Sequence, residues 1–363
     1  MYINKLTLDN FRNFKNKTVL NLENSVNVFV GDNAQGKTNL LEAIHFLALG
    51  KSITNQKKDE LIHWDKDYFY ITCTYYNSKS NKIEVGYNQD NRKIIKINSV
   101  EQKKYSSLLG NINVVIFSPD DLLLIKGSPS LRRNFLDQEI SQLSPYYNNL
   151  MTNYKKVLFN RNKILKERPH HFMETLDIYD KQLAGFSEEI LVKRIDIISK
   201  LKILARLTHR KLTDNTENLE IKYASFVDNL EQKIPELKVH IYELFKQSRE
   251  KDLYTRQTNI GLHRDDIEFY VNGKDVKKYC SQGQQRTTIL SLKLAEIEMF
   301  MSQRGTYPIL LLDDVFSELD YKRRSFLLKA IKDKVQTFIT TTEKEQELLG
   351  AFKVFNIKNG MIK

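Results

Sequence analysis

Only two cysteines, one tryptophan and six prolines occur in this sequence. Cys73 and Cys280 have neither CxxC spacing nor a secretory context, so a disulfide scaffold or thiolate zinc site is not expected. A reduced cytoplasm is the compartment this implies. The N-terminus, Met1 to Lys5, opens directly into strand-like alternation and lacks the apolar core of a signal peptide. No apolar run approaches ~18 residues, so no membrane span is expected. Internal repeats and low-complexity stretches are missing, as are zinc-finger spacing, a helix-turn-helix cue and an aromatic RNP run. Sequence-specific base readout is therefore not anticipated. Charge of one sign is in short supply: 45 Asp+Glu stand against 57 Lys+Arg, a net charge of +12 with a pI near 9.3. That balance points to a polyanionic partner, nucleic acid before membrane, although a lysine-rich proteome alone gives the same excess. The 363 residues leave room for one large or two ordinary domains.

Against these absences stands one phosphate-binding loop. Gly31-Asp32-Asn33-Ala34-Gln35-Gly36-Lys37-Thr38 fits G-x-x-x-x-G-K-[ST] at every fixed position. Val26–Val30 before it reads as a buried strand, and the apolar spacing from Leu40 to Leu47 after it as a helix. The strand–loop–helix context predicts backbone N–H groups curled around a triphosphate. Lys37 is placed on the β- and γ-phosphates, and the Thr38 hydroxyl on Mg²⁺. ATP and Mg²⁺ are thus the expected ligands. Far downstream, Ile309–Leu312 reads as a central strand ending in Asp313-Asp314. Asp313 takes the Walker-B metal role. Asp314 is the candidate that orients or deprotonates the attacking water, so Asp314 and Lys37 are the expected catalytic residues.

Ser281-Gln282-Gly283-Gln284-Gln285-Arg286 precedes a helical stretch from Thr287 to Met301. A serine there is a generic N-cap. The order of phosphate loop, long insertion, S-x-G-Q helix, hhhhDD and Ser317-Glu318-Leu319-Asp320 resembles the ABC-type ATPases. That resemblance implies that Ser281, Gly283 and Gln284 meet the nucleotide of a second copy, with Ser281 joining the catalytic set, so that ATP binding makes a homodimer. The strand Gln336–Thr340 runs into Thr341-Thr342 without the histidine usual in transporter subunits.

Leu6-Thr7-Leu8-Asp9-Asn10-Phe11-Arg12-Asn13-Phe14, together with G-D-N-A-Q-G-K-T-N-L-L-E-A, resembles the chromosome-maintenance (SMC) and RecF ATPases. There an arginine in the place of Arg12 reaches the nucleotide phosphates. Between Asp120 and about Arg256 there is space only for short helices, not a long coiled coil. Stripes at Tyr147–Leu165 and Leu183–Leu204 mark these, with Pro145, Pro169 and Pro235 as breaks. Pro119–Asp137, with Gly127-Ser128-Pro129 and Arg132-Arg133-Asn134-Phe135-Leu136-Asp137, is similar to a RecF block. So are Tyr154–Lys166 and Gly261-Leu262-His263-Arg264-Asp265-Asp266, the last with leucine where that family usually has proline.

The similarity to the RecF family of bacterial recombination mediators covers essentially the whole chain. It implies an α/β fold: an ABC-type P-loop ATPase head, with a mixed sheet and helices, carrying an inserted helical arm. The lobes are expected at residues 1–118 and 257–363, with the arm at 119–256. The resemblance further implies a weak ATPase used as a switch on single-stranded, gapped or junction DNA. RecR, RecO and RecA are the partners implied, in recombinational repair, replication restart and the SOS response. The alternative is an ABC-type subunit of a nuclease or a transporter. On the arm, Arg132, Arg133, Lys155, Lys156, Arg161, Lys163, Lys166 and Arg168 are candidates for the DNA surface. His263, Asp265 and Asp266 are read as a polar loop by the nucleotide site in preference to a nuclease metal cluster.

Overall fold

The computed structural model describes residues 1–53, 56–230, 236–342 and 352–362. The strands and helices run in this order. β1 (Tyr2–Asp9), β2 (Thr18–Asn21) and β3 (Val26–Val30) lead into α1 (Lys37–Leu49). β4 (Tyr68–Asn77), β5 (Lys79–Asn88), β6 (Lys93–Ile97), β7 (Val100–Glu101) and β8 (Val114–Phe117) follow. Then come α2 (Leu123–Lys126), α3 (Pro129–Leu143), α4 (Pro145–Glu167), α5 (Phe172–Leu212), β9 (Leu219–Ala224) and α6 (Leu237–Thr255). β10 (Asp266–Val271), β11 (Lys274–Asp275), α7 (Val276–Tyr279) and α8 (Gln282–Arg304) come next. The chain closes with β12 (Ile309–Asp313), α9 (Tyr321–Ile331), β13 (Thr337–Thr341), β14 (Lys353–Lys358) and β15 (Met361–Ile362).

Two compact units result: Met1–Leu122 with Arg286–Lys363, and Leu123–Gln285. The first holds two sheets. One has the order β15-β14-β3-β13-β12-β8, all parallel except the edge strand β15. The other is antiparallel, in the order β2-β1-β4-β5-β6-β7. β4, β5 and β6 pair as consecutive hairpins within this sheet. Helix α1 is apolar on nearly every side and correspondingly buried, its residues joining one core with Leu6, Ile71 and Val85 of the antiparallel sheet and Ile309 and Phe338 of the parallel one. Gln336 fastens the layers: its amide accepts from Ile3 N at 2.7 Å and donates to Ile3 O at 2.7 Å.

In the second unit α5 packs on α4, α6 and β9. Pro145 opens α4 and Pro169 separates α4 from α5, while Pro235 lies outside the described residues. α5 is 41 residues long, well beyond the short helices expected. No proline interrupts 170–234, and the buried stripe continues from Leu176 to Leu212. The second boundary also differs from 256/257. Residues 257–285 belong to the second unit because β10 pairs with β9, Asp266 opposite Ala224 through Val271 opposite Leu219. No helix among the described residues is long and apolar enough to cross a membrane.

His45 lies wholly inside the α1 core, where burial pushes its pKa down to about 4, and its Nδ1 donates to the Lys51 carbonyl at 3.1 Å. The unfolded chain binds a proton near pH 6.5 that the folded chain refuses, so stability is complete above that pH and is lost as pH falls toward 4. The loss is on the order of 3 kcal/mol. Urea unfolding at pH 7, 6, 5 and 4 should show His45→Asn with a flatter pH slope than the parent; parallel curves would refute it.

Candidate nucleotide site

The loop between β3 and α1 is shaped by its neighbours. Gly36 stands at φ 106°, and a Cβ there would run into the side chain of Asn13. A Cβ on Gly31 would strike the Ile357 carbonyl of β14. Both positions therefore admit only glycine. Asn13 Nδ2 donates to Gln35 O at 2.7 Å, and Asn13 Oδ1 accepts from Asn39 Nδ2 at 2.9 Å. The turn between β14 and β15 adds a second brace, with Gly360 N on Gln35 O at 3.2 Å and Asn359 N on Gln35 Oε1 at 2.6 Å. Asn13 and the Asn359-Gly360 turn were missed from sequence. Asn13 had a signal, since it lies inside the motif that carries Arg12.

Asp32, Asn33, Ala34, Gly36, Lys37, Thr38, Asn39, Asp313 and Asp314 line one hollow of ≈ 160 Å³. Lys37 Nζ donates to the carbonyls of Gly31 and Asp32. Burial pushes its amine down, opposed by the charges of Asp314, Asp313 and Asp32. Thr38 Oγ1 donates to Asp313 Oδ1 at 2.9 Å, although 275 residues separate them. Thr340 Oγ1 donates to the same oxygen at 2.7 Å and accepts from Asp314 N at 3.0 Å. Thr340, at the end of β13, is the third residue of this cluster and was not anticipated. A threonine hydroxyl beside one carboxylate supplies the hard oxygen donors that suit Mg²⁺, which takes its remaining ligands from phosphates and water.

Other candidates sit elsewhere. Arg12 forks onto Glu42 of α1, Nε to Oε2 at 2.7 Å and Nη2 to Oε1 at 3.0 Å, and also holds the Glu60 carbonyl. Ser281 caps α8 reciprocally: Gln284 N donates to Ser281 Oγ at 3.3 Å, and Ser281 N to Gln284 Oε1 at 3.0 Å. Ser281 is exposed and Gly283 half-buried. Further along α8, Arg286 pairs with Glu318, and Arg323 of α9 donates to Thr287 Oγ1 at 2.7 Å. The S-E-L-D segment and the S-x-G-Q helix are therefore bonded to each other.

Two of the basic candidates are structural. Arg161 is fully buried, donating to Asp180 at 2.6 Å and Asp252 at 2.7 Å. Arg132 forks onto Asp266 at 2.7 and 2.8 Å. Arg133 donates to the Asp265 carbonyl. Lys155, Lys156, Lys163, Lys166 and Arg168 are exposed. The His263 group is likewise committed within its own unit. His263 binds the Thr258 carbonyl at 3.0 Å and Tyr154 at 3.2 Å. Asp265 accepts from Tyr223 and Arg194, with burial pushing its pKa up to about 6. Among the described residues no group of three or more His, Cys, Asp or Glu side chains is placed to hold a metal.

A family model described as the RecF/RecN/SMC N terminal domain matches residues 2–362. The chain is 43% identical to the DNA replication and repair protein RecF of Halothermothrix orenii, over 100% of this chain and 98% of that protein. This chain belongs to the RecF family. The corresponding protein of Bacillus cytotoxicus is 44% identical over 100% and 98%. Among solved structures, one described as the recombination mediator protein RecF-ATPrS in the RecFOR pathway superposes with a TM-score of 0.91 at 36% identity, covering 100% of this chain and 97% of that one. An Smc head bound to the C-winged helix domain of ScpA shares the fold alone, at TM-score 0.61 and 16% identity, covering 100% and 96%. The fold expected for the RecF family, an ABC-type ATPase head with an inserted helical unit, is the fold observed.

Asn13→Ala removes its two bonds, to Gln35 of the loop and to Asn39, about 1–2 kcal/mol of ordering, and leaves the Asn359-Gly360 brace in place. Titration calorimetry with a nucleoside triphosphate and magnesium should find affinity lowered about tenfold. Unchanged affinity would show that the loop keeps its shape without Asn13.

Proposed function

We propose that this chain is an ATP-gated DNA-binding switch of recombinational repair. The observation that carries the nucleotide half is the bond between Thr38 and Asp313, which sets a phosphate loop beside a strand-end carboxylate in one hollow. The backbone N–H groups of Gly31 to Thr38 take the triphosphate oxygens, and Lys37 exchanges loop carbonyls for the β- and γ-phosphates. Thr38 and Asp313 would hold Mg²⁺, which neutralises charge between those phosphates. Asp314 orients the attacking water. Arg12 joins the phosphates by leaving Glu42. Ser281, Gly283 and Gln284 at the exposed start of α8 complete the site of a second copy, adding a hydroxyl and a helix N-terminus at the γ-phosphate. ATP thereby favours a closed homodimer and ADP an open one.

The DNA half is supported by the relatives, named for DNA replication and repair, and by the net charge of +12. A 36% identical structure is described as a recombination mediator of the RecFOR pathway. On this reading the protein works in the cytoplasm. It recognises gapped, single-stranded or junction DNA through the backbone and helps RecO and RecR load RecA, in repair, replication restart and SOS induction. Hydrolysis is slow and resets the switch. Retention on gapped DNA that requires ATP and magnesium, without cleavage, is the expected behaviour. Cleavage would favour a nuclease subunit, and no retention would favour a transporter subunit.

The carboxylate of Asp314 is one methylene shorter than the glutamate of fast relatives of this fold. Asp314→Glu should therefore raise single-turnover hydrolysis, and Asp314→Asn should lower it by about 10²-fold or more. A slower Asp314→Glu enzyme would contradict the role given to Asp314.

A further inference from the structure

Two of the rings that the second unit leaves in open solvent stand on the packed helices α4 and α6. Phe159 on α4 is 70% exposed, and Tyr254 in the last turn of α6 is 90% exposed. Their surroundings are not random. Counting from Lys155, Phe159 follows at i+4, Asn162 at i+7 and Lys166 at i+11, which is one face of the helix. Asn162 and Lys166 form one wall of a polar hollow of ≈ 420 Å³, and Thr255, Arg256 and Gln257, the residues directly after Tyr254, form the other. Lys163, on the flank of the stripe, is partly neutralised by Glu167 at 3.9 Å. Among the described residues no ion pair engages Lys155, Lys166 or Arg256. α4 and α6 are fastened below this surface by the buried Arg161–Asp252 pair, and at their ends by Arg168, which holds the Leu253 carbonyl. The stripe is therefore a fixed display of cation, ring, amide and cation.

That order suits one chemistry. Cations spaced along a face accept successive phosphates, and an accessible ring offers a stacking partner to any base whose own face is free. In an intact duplex base faces are covered, so the ring gains nothing there. At a gap they are open. We infer that the face formed by Lys155, Phe159 and Lys166, with the Arg256 hollow, binds unpaired nucleotides. Phe159 stacks on a base while the lysines and Arg256 take the flanking phosphates. The inference rests on the DNA-binding reading above and deepens it: Phe159 becomes the residue that separates gapped from intact DNA.

The test compares full-length parent, Phe159→Ala and Phe159→Trp on a gapped duplex and on the same duplex with the gap filled, with magnesium and an ATP analogue. Phe159 is exposed, so its replacement leaves the core untouched. Phe159→Ala should bind gapped DNA about tenfold more weakly, within the range one stacked base supplies, and filled duplex as the parent does. Phe159→Trp should restore gapped binding. In a Trp64→Phe background the tryptophan at position 159 is the only one, and its fluorescence should be quenched by gapped DNA and not by filled duplex. Lys155→Ala and Lys166→Ala should each reduce the salt slope by about one. Gapped binding by Phe159→Ala within about twofold of the parent overturns the inference and leaves the ring to a protein partner, as does an equal loss on both DNAs. Failure of the parent itself to hold either DNA sinks the functional reading and this inference together. A gap preference retained by Phe159→Ala sinks this inference alone.

Discussion

Oδ1 of Asp313 accepts from two hydroxyls, Thr38 at the start of α1 and Thr340 at the end of β13, and on this small knot the chemistry of the head depends. It exists because β3, β13 and β12 run parallel in fixed register, Thr341 opposite Val30 and Asp313 opposite Thr340. Side chains alternate along a strand, so a slip of one residue would turn Asp313 away from the loop. The same register sets Asp314, whose N–H reaches Thr340 and whose φ of 51° starts the turn into the S-E-L-D segment. Position along one sheet thus sets Asp313, and not Asp314, against the Thr38 hydroxyl.

The second unit is organised by a different economy. Arg161 joins α4 to α5 and α6 through Asp180 and Asp252, and Arg194 joins α5 to Asp137, Tyr147, Tyr223 and Asp265. Buried ion pairs of this kind cost desolvation and give back little net stability, yet a removed partner leaves a charge that nothing nearby can hold. Their use is in fixing geometry. A helical unit pinned at two arginines presents its outer residues at constant spacing, which a face of separated cations and rings requires.

Much of this was legible beforehand, for definable reasons. The phosphate loop, Asp313 and the strands around them lie in contiguous motifs whose local geometry and chemistry coincide. Thr340 and the Asn359-Gly360 turn were not legible, because each acts through a contact far away in sequence and has no periodic signature; Asn13 was overlooked although it lies inside the motif that carries Arg12. Arg132 and Arg161 misled for a related reason: a run of basic residues on an arm looks the same whether the cations face water or buried aspartates. Only the partners, Asp266 for one and Asp180 with Asp252 for the other, distinguish the two. The place of residues 257–285 depended on β10 finding β9 some forty residues upstream, a pairing that the motif Gly261–Asp266 does not reveal.

The proposed switch requires half a site from each of two copies. On the proposed reading one copy supplies the loop, Lys37, Thr38 and the aspartate pair, and the exposed cap of α8, with Ser281 and Gly283, meets the phosphates of another. Sedimentation equilibrium with a slowly hydrolysed ATP analogue and magnesium tests this most directly. The parent chain of 42.7 kDa should double its mass at saturating nucleotide, and Ser281→Arg should bind nucleotide yet remain single. A parent that stays at one chain's mass, or a Ser281→Arg chain that pairs as readily, would contradict it.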